Sequence, residues 1–148
     1  MIKVARHASD EEVREFVLDV LNVLARGRFE EFGAAVGYSF GGGEPADCVK
    51  QAIASYRSPE YYPNEDVFSV TDWRNARGGN PDHRCEVTWY EPNAPMLAGA
   101  VTVDLPLNGK WSDLQADFVL VDLEPNSGLE LHLEEIYSWR QRSRESVG

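Results

Sequence analysis

Residues 96–137, MLAGAVTVDLPLNGKWSDLQADFVLVDLEPNSGLELHLEEIY, decide the fold, because they predict three consecutive strands joined by two turns. Asn108 and Gly109 separate two β-like runs, and this pair favours the two positive φ angles of a two-residue hairpin turn. Counting outward from that turn sets the expected register of the hairpin. The pairs on one face are then all apolar or small: Val103 with Leu114, Val101 with Ala116, Gly99 with Phe118, and Leu97 with Leu120.

The intervening residues of this hairpin are expected to face water, because successive strand side chains point to opposite faces. These pairs are Asp104 with Asp113, Thr102 with Gln115, and Ala100 with Asp117. After a turn at 124–128, a third strand is predicted, in which Leu129, Leu131 and Leu133 alternate with Glu130, His132 and Glu134. The alternation breaks at Glu135 and Ile136, which predicts a β-bulge or the end of the strand.

The amino-terminal part of the chain predicts helices. Ser9 and Glu12 have the spacing of a capping box, and Gly27 can end the helix in a left-handed conformation. The apolar stripe between them has helical spacing, and we expect Phe16, Val17, Val20 and Leu24 to pack onto the sheet. Its members are Val13, Phe16, Val17, Val20, Leu21 and Leu24.

Further elements follow this helix. Phe29, Phe32 and Val36 predict a short second helix, residues 38–40 a brief strand, and Pro45 the start of a third helix. The third helix has an apolar stripe of Val49, Ala52, Ile53 and Tyr56. Residues 58–66 are interpreted as a surface loop, and strands are predicted at 67–74 and 83–91 around a turn at 78–82.

Helices followed by a run of antiparallel strands indicate an α+β fold, with the helices packed on one face of a single curved sheet. The length of 148 residues fits one domain, which we assign to residues 1–139. Residues 140–148 form an Arg-rich carboxyl-terminal tail, which is expected to be frayed.

The order of these elements, with GRFEEF at 27–32 in the short second helix, resembles the nuclear-transport-factor-2-like (cystatin-like) superfamily. The resemblance implies a cone-like fold. The segments LPL at 105–107, WSDL at 111–114 and LEL at 129–131 also resemble a family of uncharacterised bacterial proteins. Cone-like proteins include isomerases, dehydratases, binding modules and immunity-like proteins, so the resemblance assigns no chemistry.

The composition limits the classes of partner. A formal net charge of −11 disfavours binding to nucleic acid or to an anionic membrane, both of which reward clustered Lys and Arg. A basic protein partner, or simple solubility, fits this charge better. The chain has no apolar run of membrane-spanning length and only two cysteines, which favours a cytoplasmic location. Cys85 lies at an apolar position of its strand and is interpreted as a buried hydrophobic residue.

Candidate catalytic and metal-binding residues are few. A cone-like enzyme needs an ionisable group in the pocket under its helices, whereas the inward positions of the three predicted strands are apolar. Asp72, Tyr38 and Tyr56 are the nearest substitutes, and a surface or core role explains them equally well. The three histidines lack a His or Cys partner at ligand spacing, so we assign no catalytic residue, no metal site and no cofactor.

The outer face of the predicted sheet is the strongest candidate for a functional surface. It carries Asp104, Asp113, Asp117, Glu130 and Glu134, with His132 between the last two. Acids on an outer face often serve only solvation and protection against edge pairing. The leading hypothesis is nevertheless a non-catalytic module that binds a basic protein through this face, as immunity proteins do with nuclease toxins. The alternative is a small-molecule-binding protein, or an isomerase- or dehydratase-like enzyme, with a pocket between the helices and the sheet. Formation of a homodimer is left open.

Overall fold

The structure is a computed structural model that describes residues 3–38, 43–91, 96–123 and 128–138. The helices in these ranges are α1 (Asp10–Ala25), α2 (Phe29–Ala35), α3 (Pro45–Ser55), α4 (Pro81–Arg84) and a 3₁₀ turn at Trp73–Asn75. The strands are β1 (Lys3–Val4), β2 (Gly37–Tyr38), β3 (Cys85–Trp89), β4 (Leu97–Leu107), β5 (Lys110–Val121) and β6 (Leu129–Ser138).

Helix α1 begins and ends as the sequence predicts. The Ser9 hydroxyl accepts a hydrogen bond from the Glu12 amide, and the Glu12 carboxylate accepts one from the Ser9 amide, which completes the capping box. At the other end Gly27 has a φ of +73°, and the Arg28 amide donates to the Val23 carbonyl oxygen at 3.1 Å. Only a residue that tolerates positive φ closes a helix in this way, so Gly27 sets the end of α1.

The apolar stripe of α1 faces the core, with one exception. Val17, Val20 and Leu24 are buried, as predicted, but Phe16 is only partly buried against the core. Phe16 lies at the edge of the buried stripe, whereas Leu18 and Val23 are buried and widen it. Phe16 therefore packs against the core without being fully buried.

The sheet has the strand order β1-β6-β5-β4-β3, and all pairs along this path are antiparallel. The short strand β2 pairs with β6 in parallel. The amino-terminal helices pack on one face of this curved sheet, which confirms the predicted α+β, cone-like architecture. Of the brief strand predicted at 38–40, Tyr38 belongs to β2, and residues 39 and 40 lie outside the described ranges. The tail at 140–148 and the turn residues 124–127 also lie outside them.

The two-residue turn between β4 and β5 is confirmed, with φ angles of 50° at Asn108 and 89° at Gly109. The register predicted from it is correct only next to the turn, where Leu107 lies opposite Lys110. Further along, Val103 lies opposite Ala116 rather than Leu114. A bulge between the Asp104 and Pro106 pairings has inserted two extra residues into β5, so the predicted pairs from Asp104 onward are wrong, and Asp104 lies opposite Gln115 rather than Asp113.

The break predicted in the third strand is a second bulge. Asp117 pairs with Glu135, whereas the next residue, Phe118, pairs with Leu133, so Glu134 is the extra residue. The strand then continues to Ser138. Before the bulge, Leu129, Leu131 and Leu133 are buried, as the alternation predicts.

The strand predicted at 67–74 is wrong. This segment makes one isolated bridge, between Val70 and Leu107, and then enters the 3₁₀ turn. Its backbone bonds instead to the hairpin tip, where the Asn108 side chain accepts from the Ser69 amide at 3.0 Å and donates to the Val67 carbonyl oxygen at 2.9 Å. The Thr71 amide also donates to the Pro106 carbonyl oxygen at 2.8 Å, and the Asn108 amide donates to the Ser69 carbonyl oxygen at 3.0 Å. The segment is therefore bonded to the hairpin through backbone and side-chain groups together, without the regular ladder of a strand.

Two neighbouring expectations also need correction. Residues 81–84 form the short helix α4, begun by a proline, so β3 starts at Cys85 rather than at His83. The loop at 58–66 does not lie wholly on the surface, because its own residue Tyr62 is buried. Its hydroxyl donates to the carbonyl oxygens of Leu107 and Lys110 at 2.8 and 3.0 Å, which fastens the loop to the hairpin.

Candidate functional site

The bulge in β5 is built by Ser112. Its hydroxyl donates to the Leu105 carbonyl oxygen at 2.7 Å and accepts from the Leu114 amide at 3.1 Å. Both backbone groups lie where the ladder is interrupted, so one side chain satisfies the two groups that the bulge leaves unpaired. Pro106 on the facing strand has no backbone N–H, so the bulge leaves no donor unpaired at that residue. The local sequence therefore favours the bulge.

The bulge turns Asp113 into the protein. Asp113 is 1% exposed, so its predicted position on the water-facing side of the sheet is wrong. The Tyr56 hydroxyl donates to Oδ1, and the Ser138 hydroxyl donates to Oδ2 at 3.1 Å. Burial raises the pKa of Tyr56 well above its usual range, and the hydrogen bond to Asp113 raises it further.

An aromatic cluster lies beside this buried carboxylate. The Phe68 ring makes edge contacts with Tyr56 and Tyr62, each with a centroid separation of 4.9 Å. Tyr62 is itself buried, and burial raises the pKa of its hydroxyl well above the usual range. Because the Phe68 and Tyr62 rings pack against Tyr56, and each Asp113 oxygen accepts a hydrogen bond from a hydroxyl group, Asp113 is enclosed. Its geometry fits a structural polar contact better than a catalytic base.

Asp104 lies on the outer face, the side of the sheet opposite the helices. Arg84, just before β3, donates to its Oδ2 at 3.1 Å, and the Asp104 side chain is only 14% exposed. Burial raises the pKa of Asp104, and the neighbouring Arg84 lowers it in part. This carboxylate is consequently less available to a partner than its position on the outer face alone would suggest.

A row of side chains crosses four strands on the outer face. Glu86 pairs with Thr102, Thr102 with Asp117, and Asp117 with Glu135. In the next row the Gln115 amide donates to Asp117 Oδ1 at 3.0 Å and to the Tyr137 hydroxyl at 2.8 Å. Three carboxylates in one row concentrate negative charge across the middle of the sheet.

Glu130 and His132 lie on the same face of β6. The His132 ring nitrogen Nε2 is 3.0 Å from Glu130 Oε1, and the Lys3 ammonium is 3.8 Å from the other carboxylate oxygen. The ring also packs over Gly37, where an added Cβ would lie 2.9 Å from it. Glu134 is the bulge residue and is half-buried. The structure thus keeps all the predicted acids except Asp113 on the outer face.

One end of the sheet, which we call the apolar end, exposes large hydrophobic side chains. It comprises the end of β3, the start of β4 and the residues that follow β5. These parts lie close together because Trp89 pairs with Gly99 and Leu97 pairs with Val121. The side chains there are 38–61% exposed and belong to Trp89, Tyr90, Met96, Leu97 and Leu123. This set was not predicted, because strand alternation does not show which strand ends keep their side chains exposed.

A cleft lies beside α3, with a volume of about 430 Å³. Its apolar wall comes from α2, α3 and the segment after the loop, and its charged groups are Lys50, Arg57 and Asp66. The lining residues are Phe29, Lys50, Ile53, Ala54, Arg57, Asp66, Val67 and Phe68. The sequence analysis missed this cleft too, since its parts are distant in the chain.

Other chemistries find little support in the described ranges. They contain no group of three or more His, Cys, Asp and Glu side chains that could hold a metal ion. Burial raises the pKa of Cys85 to about 12, which makes it an inert thiol. None of the helices in this part of the chain has the length and apolar character needed to cross a bilayer.

Comparisons of the chain with protein-family models, with curated proteins and with solved structures found no match. The resemblance to the nuclear-transport-factor-2-like superfamily therefore stays a prediction. The function has to be inferred from the surfaces and clefts described above.

Proposed function

We propose that this protein is a non-catalytic interaction module, and that it binds a basic partner protein through the outer acidic face and the adjoining apolar end. One observation carries the proposal: five large apolar side chains are exposed together at one end of the sheet. Large apolar side chains exposed at neighbouring strand ends often mark a site of interaction.

The composition of the apolar end resembles the centre of a protein interface. Trp and Tyr are enriched among residues that dominate binding energy, and Met adapts to irregular partner surfaces. Trp89 is held in place, since its indole nitrogen donates to Asp10 Oδ1 at 2.5 Å. A positioned aromatic ring loses little conformational freedom when a partner binds, which favours affinity.

The acidic face provides the charge selectivity of the proposed surface. Asp117, Glu130 and Glu134 remain on it, with His132 beside them, whereas Asp104 contributes less because Arg84 neutralises it. Glu86 and Glu135 extend the charge along the row through Asp117. In a chain of net charge −11, such a face attracts basic partners over long range and accelerates association. A cytoplasmic location and an immunity-like role are parts of this proposal.

The buried carboxylate argues against the enzymatic alternative. Asp113 accepts hydrogen bonds from two hydroxyl groups, and the Tyr56 phenol keeps its proton at neutral pH because its pKa is raised. A general base needs an accessible lone pair within reach of substrate. The filled core between helices and sheet, which includes Phe32, Phe118 and Trp111, also favours a protein that acts through its surface.

The test compares partner recovery from the native host by wild-type protein and three variants, at low and physiological salt. Asp117→Asn with Glu135→Gln removes two charges from the acidic row, and Glu11→Gln with Glu15→Gln removes two exposed charges from α1 as a matched control. Met96→Ser with Leu97→Ser probes the apolar end. We expect the recovered partner to associate roughly threefold to tenfold more slowly with the acidic-row variant at low salt.

The apolar-end variant is expected to release the partner faster, because buried anchors act mainly on dissociation. The α1 control is expected to behave as wild type. The proposal fails if all variants recover the same partners with equal rates, or if no partner is recovered by any of them.

A further inference from the structure

We propose that the cleft beside α3 is a binding site for a small amphipathic carboxylate, such as a medium-chain fatty acid or an aryl-alkanoic acid. This site is independent of the interaction surface on the sheet. Its volume of about 430 Å³ falls within the usual range for small-molecule pockets. Three features of the cleft favour such a ligand: an apolar wall, two cations and an ordered floor.

The apolar wall is partly open to solvent. Val67 is 80% exposed and is the most exposed large hydrophobic residue in the described ranges. Ile53 and Phe68 are nearly buried beneath it, and Phe29 is partly buried. A ligand with an apolar body that covers Val67 would remove this surface from water, which is favourable in proportion to the area covered.

The two cations of the cleft lack carboxylate partners in the described part of the chain. Lys50 stacks its ammonium over the Phe29 ring, 5.3 Å from the centroid. Most other cations there pair with acids, as Arg6 does with Asp122 and Arg84 with Asp104. In a chain with 25 acidic and 14 basic residues, two cations that form no ion pair in the described ranges and that share the cleft with one acid, Asp66, favour an anionic ligand.

Arg57 is positioned before any ligand arrives. Its Nη1 group donates to the carbonyl oxygens of Ala54 and Tyr56, at 3.1 and 2.5 Å, just beyond the end of α3. Within the described ranges its Nε and Nη2 groups have no hydrogen-bond partner, so they remain available to a carboxylate. A guanidinium fixed in this way binds a planar carboxylate with little further loss of freedom.

The floor of the cleft is rigid. Phe68 packs edge-on against Tyr56 and Tyr62, and the Tyr62 hydroxyl is held by two carbonyl oxygens of the hairpin. A floor that is already ordered costs little to bind against. Asp66 also lines the cleft, and its negative charge repels an anion. Removal of this charge should therefore strengthen binding, whereas removal of the two cations should weaken it.

The experiment titrates ¹⁵N-labelled protein with sodium decanoate below its micelle concentration and follows the backbone amide resonances. We expect shifts centred on Ile53, Ala54, Val67 and Phe68. Lys50→Gln with Arg57→Gln should weaken decanoate binding about fivefold or more, whereas Asp66→Asn should strengthen it. Arg26→Gln with Arg77→Gln, which removes two exposed cations outside the cleft, is the matched control and should leave the affinity unchanged.

Two further arms separate the headgroup from the apolar body. Ala54→Trp fills the cleft from an exposed helix position and should abolish binding without a change of charge. Decanol should bind the wild type about as weakly as decanoate binds the Lys50 and Arg57 variant. Thermal unfolding confirms that each variant is folded.

The proposal is overturned if decanoate leaves the cleft resonances unmoved. It is also overturned if the cleft variant and the matched control bind decanoate equally well, or if an acidic apolar peptide shifts the cleft resonances while decanoate does not.

Discussion

Asp104 and Asp113 are expected from the sequence to face each other across one hairpin, yet they lie in different environments. Asp104 is on the outer face beside Arg84, whereas Asp113 is inside the protein beside Tyr56 and Ser138. The two residues belong to adjacent strands and differ only in their position relative to the β5 bulge. The bulge thus determines that the Asp113 side chain points into the core, whereas that of Asp104 lies on the outer face.

The partners of the two carboxylates differ accordingly. Asp104 is paired with Arg84, and both side chains keep some contact with water. If Asp104 is removed, water can therefore replace it as the hydrogen-bond partner of Arg84. Asp113 is bonded to two neutral hydroxyls that have no route to solvent, because Tyr56 and Ser138 are themselves buried. The comparison teaches that the stability of the fold depends more on the inner acid than on the outer ones.

The largest expected effect comes from removing the inner acid. Asp113→Ala should lower the free energy of unfolding by about 3 kcal/mol, because it removes the buried acceptor of both the Tyr56 and the Ser138 hydroxyls. Asp117→Ala, on the outer face of the same strand, should change it by less than about 0.5 kcal/mol. Urea denaturation of both variants at pH 7 measures the difference.

Asp113→Asn serves as the intermediate control, since the amide oxygen can still accept one hydrogen bond. Its cost should lie between those of the two alanine variants. Equal losses in Asp113→Ala and Asp117→Ala would contradict the distinction between inner and outer acids.

A smaller effect is expected at the donor that holds Asp113. Tyr56→Phe should lower the free energy of unfolding by about 1.5 kcal/mol at pH 7, because one carboxylate oxygen loses its hydroxyl partner. The raised pKa of Tyr56 means that the folded protein keeps the phenol proton while the unfolded chain releases it near pH 10. Wild-type stability therefore falls as the pH rises above about 10, and Tyr56→Phe lacks this contribution.

The gap in stability between wild type and Tyr56→Phe should thus narrow between pH 9 and pH 11, as guanidinium denaturation at about four pH values would record. A constant gap would mean that the folded and unfolded states release this proton at the same pH, and a widening gap would mean that the folded state releases it at the lower pH; either result would contradict the raised pKa.

The smallest effect is expected at Asp104. Burial raises the pKa of this carboxyl, so the folded state holds its proton more tightly than the unfolded chain, and this contribution to stability falls as the pH rises above about 4. Asp104→Asn removes that fall. Relative to wild type, the variant should gain less than about 1 kcal/mol between pH 3.5 and pH 6, measured by urea denaturation. A relative loss over this range would mean that the ion pair with Arg84 outweighs the cost of burial.

The sequence could predict much of this fold because its signals are local. Ser9 and Glu12 specify the start of α1, Gly27 its end, and Asn108 with Gly109 the hairpin turn, each through contacts within a few residues. The break of alternation at Glu135 likewise predicted a bulge, although the strand continues through it.

A signal for the β5 bulge was also present. Trp111 and Leu114 are three residues apart, a spacing that strict alternation cannot place on one face, and Ser112 and Asp113 between them suit an interruption. The apparent apolar match of Val103 with Leu114 concealed it. Because the bulge adds two residues, the inward and outward parity is restored beyond it, and most of the predicted core is correct.

The sequence by itself determined the helix ends, the hairpin turn and the alternation of core and water-facing residues, because neighbouring atoms satisfy these features locally. Only the tertiary structure decided the fate of Asp113, the hydrogen bonding of 67–72 to the hairpin tip, and the meeting of Lys50, Arg57 and Val67 at one cleft. These depend on partners up to dozens of residues away in the chain. Such contacts form because buried polar groups need hydrogen-bond partners and apolar side chains need neighbours, and only the packed protein determines which residues are near enough. A local sequence pattern does not contain that information.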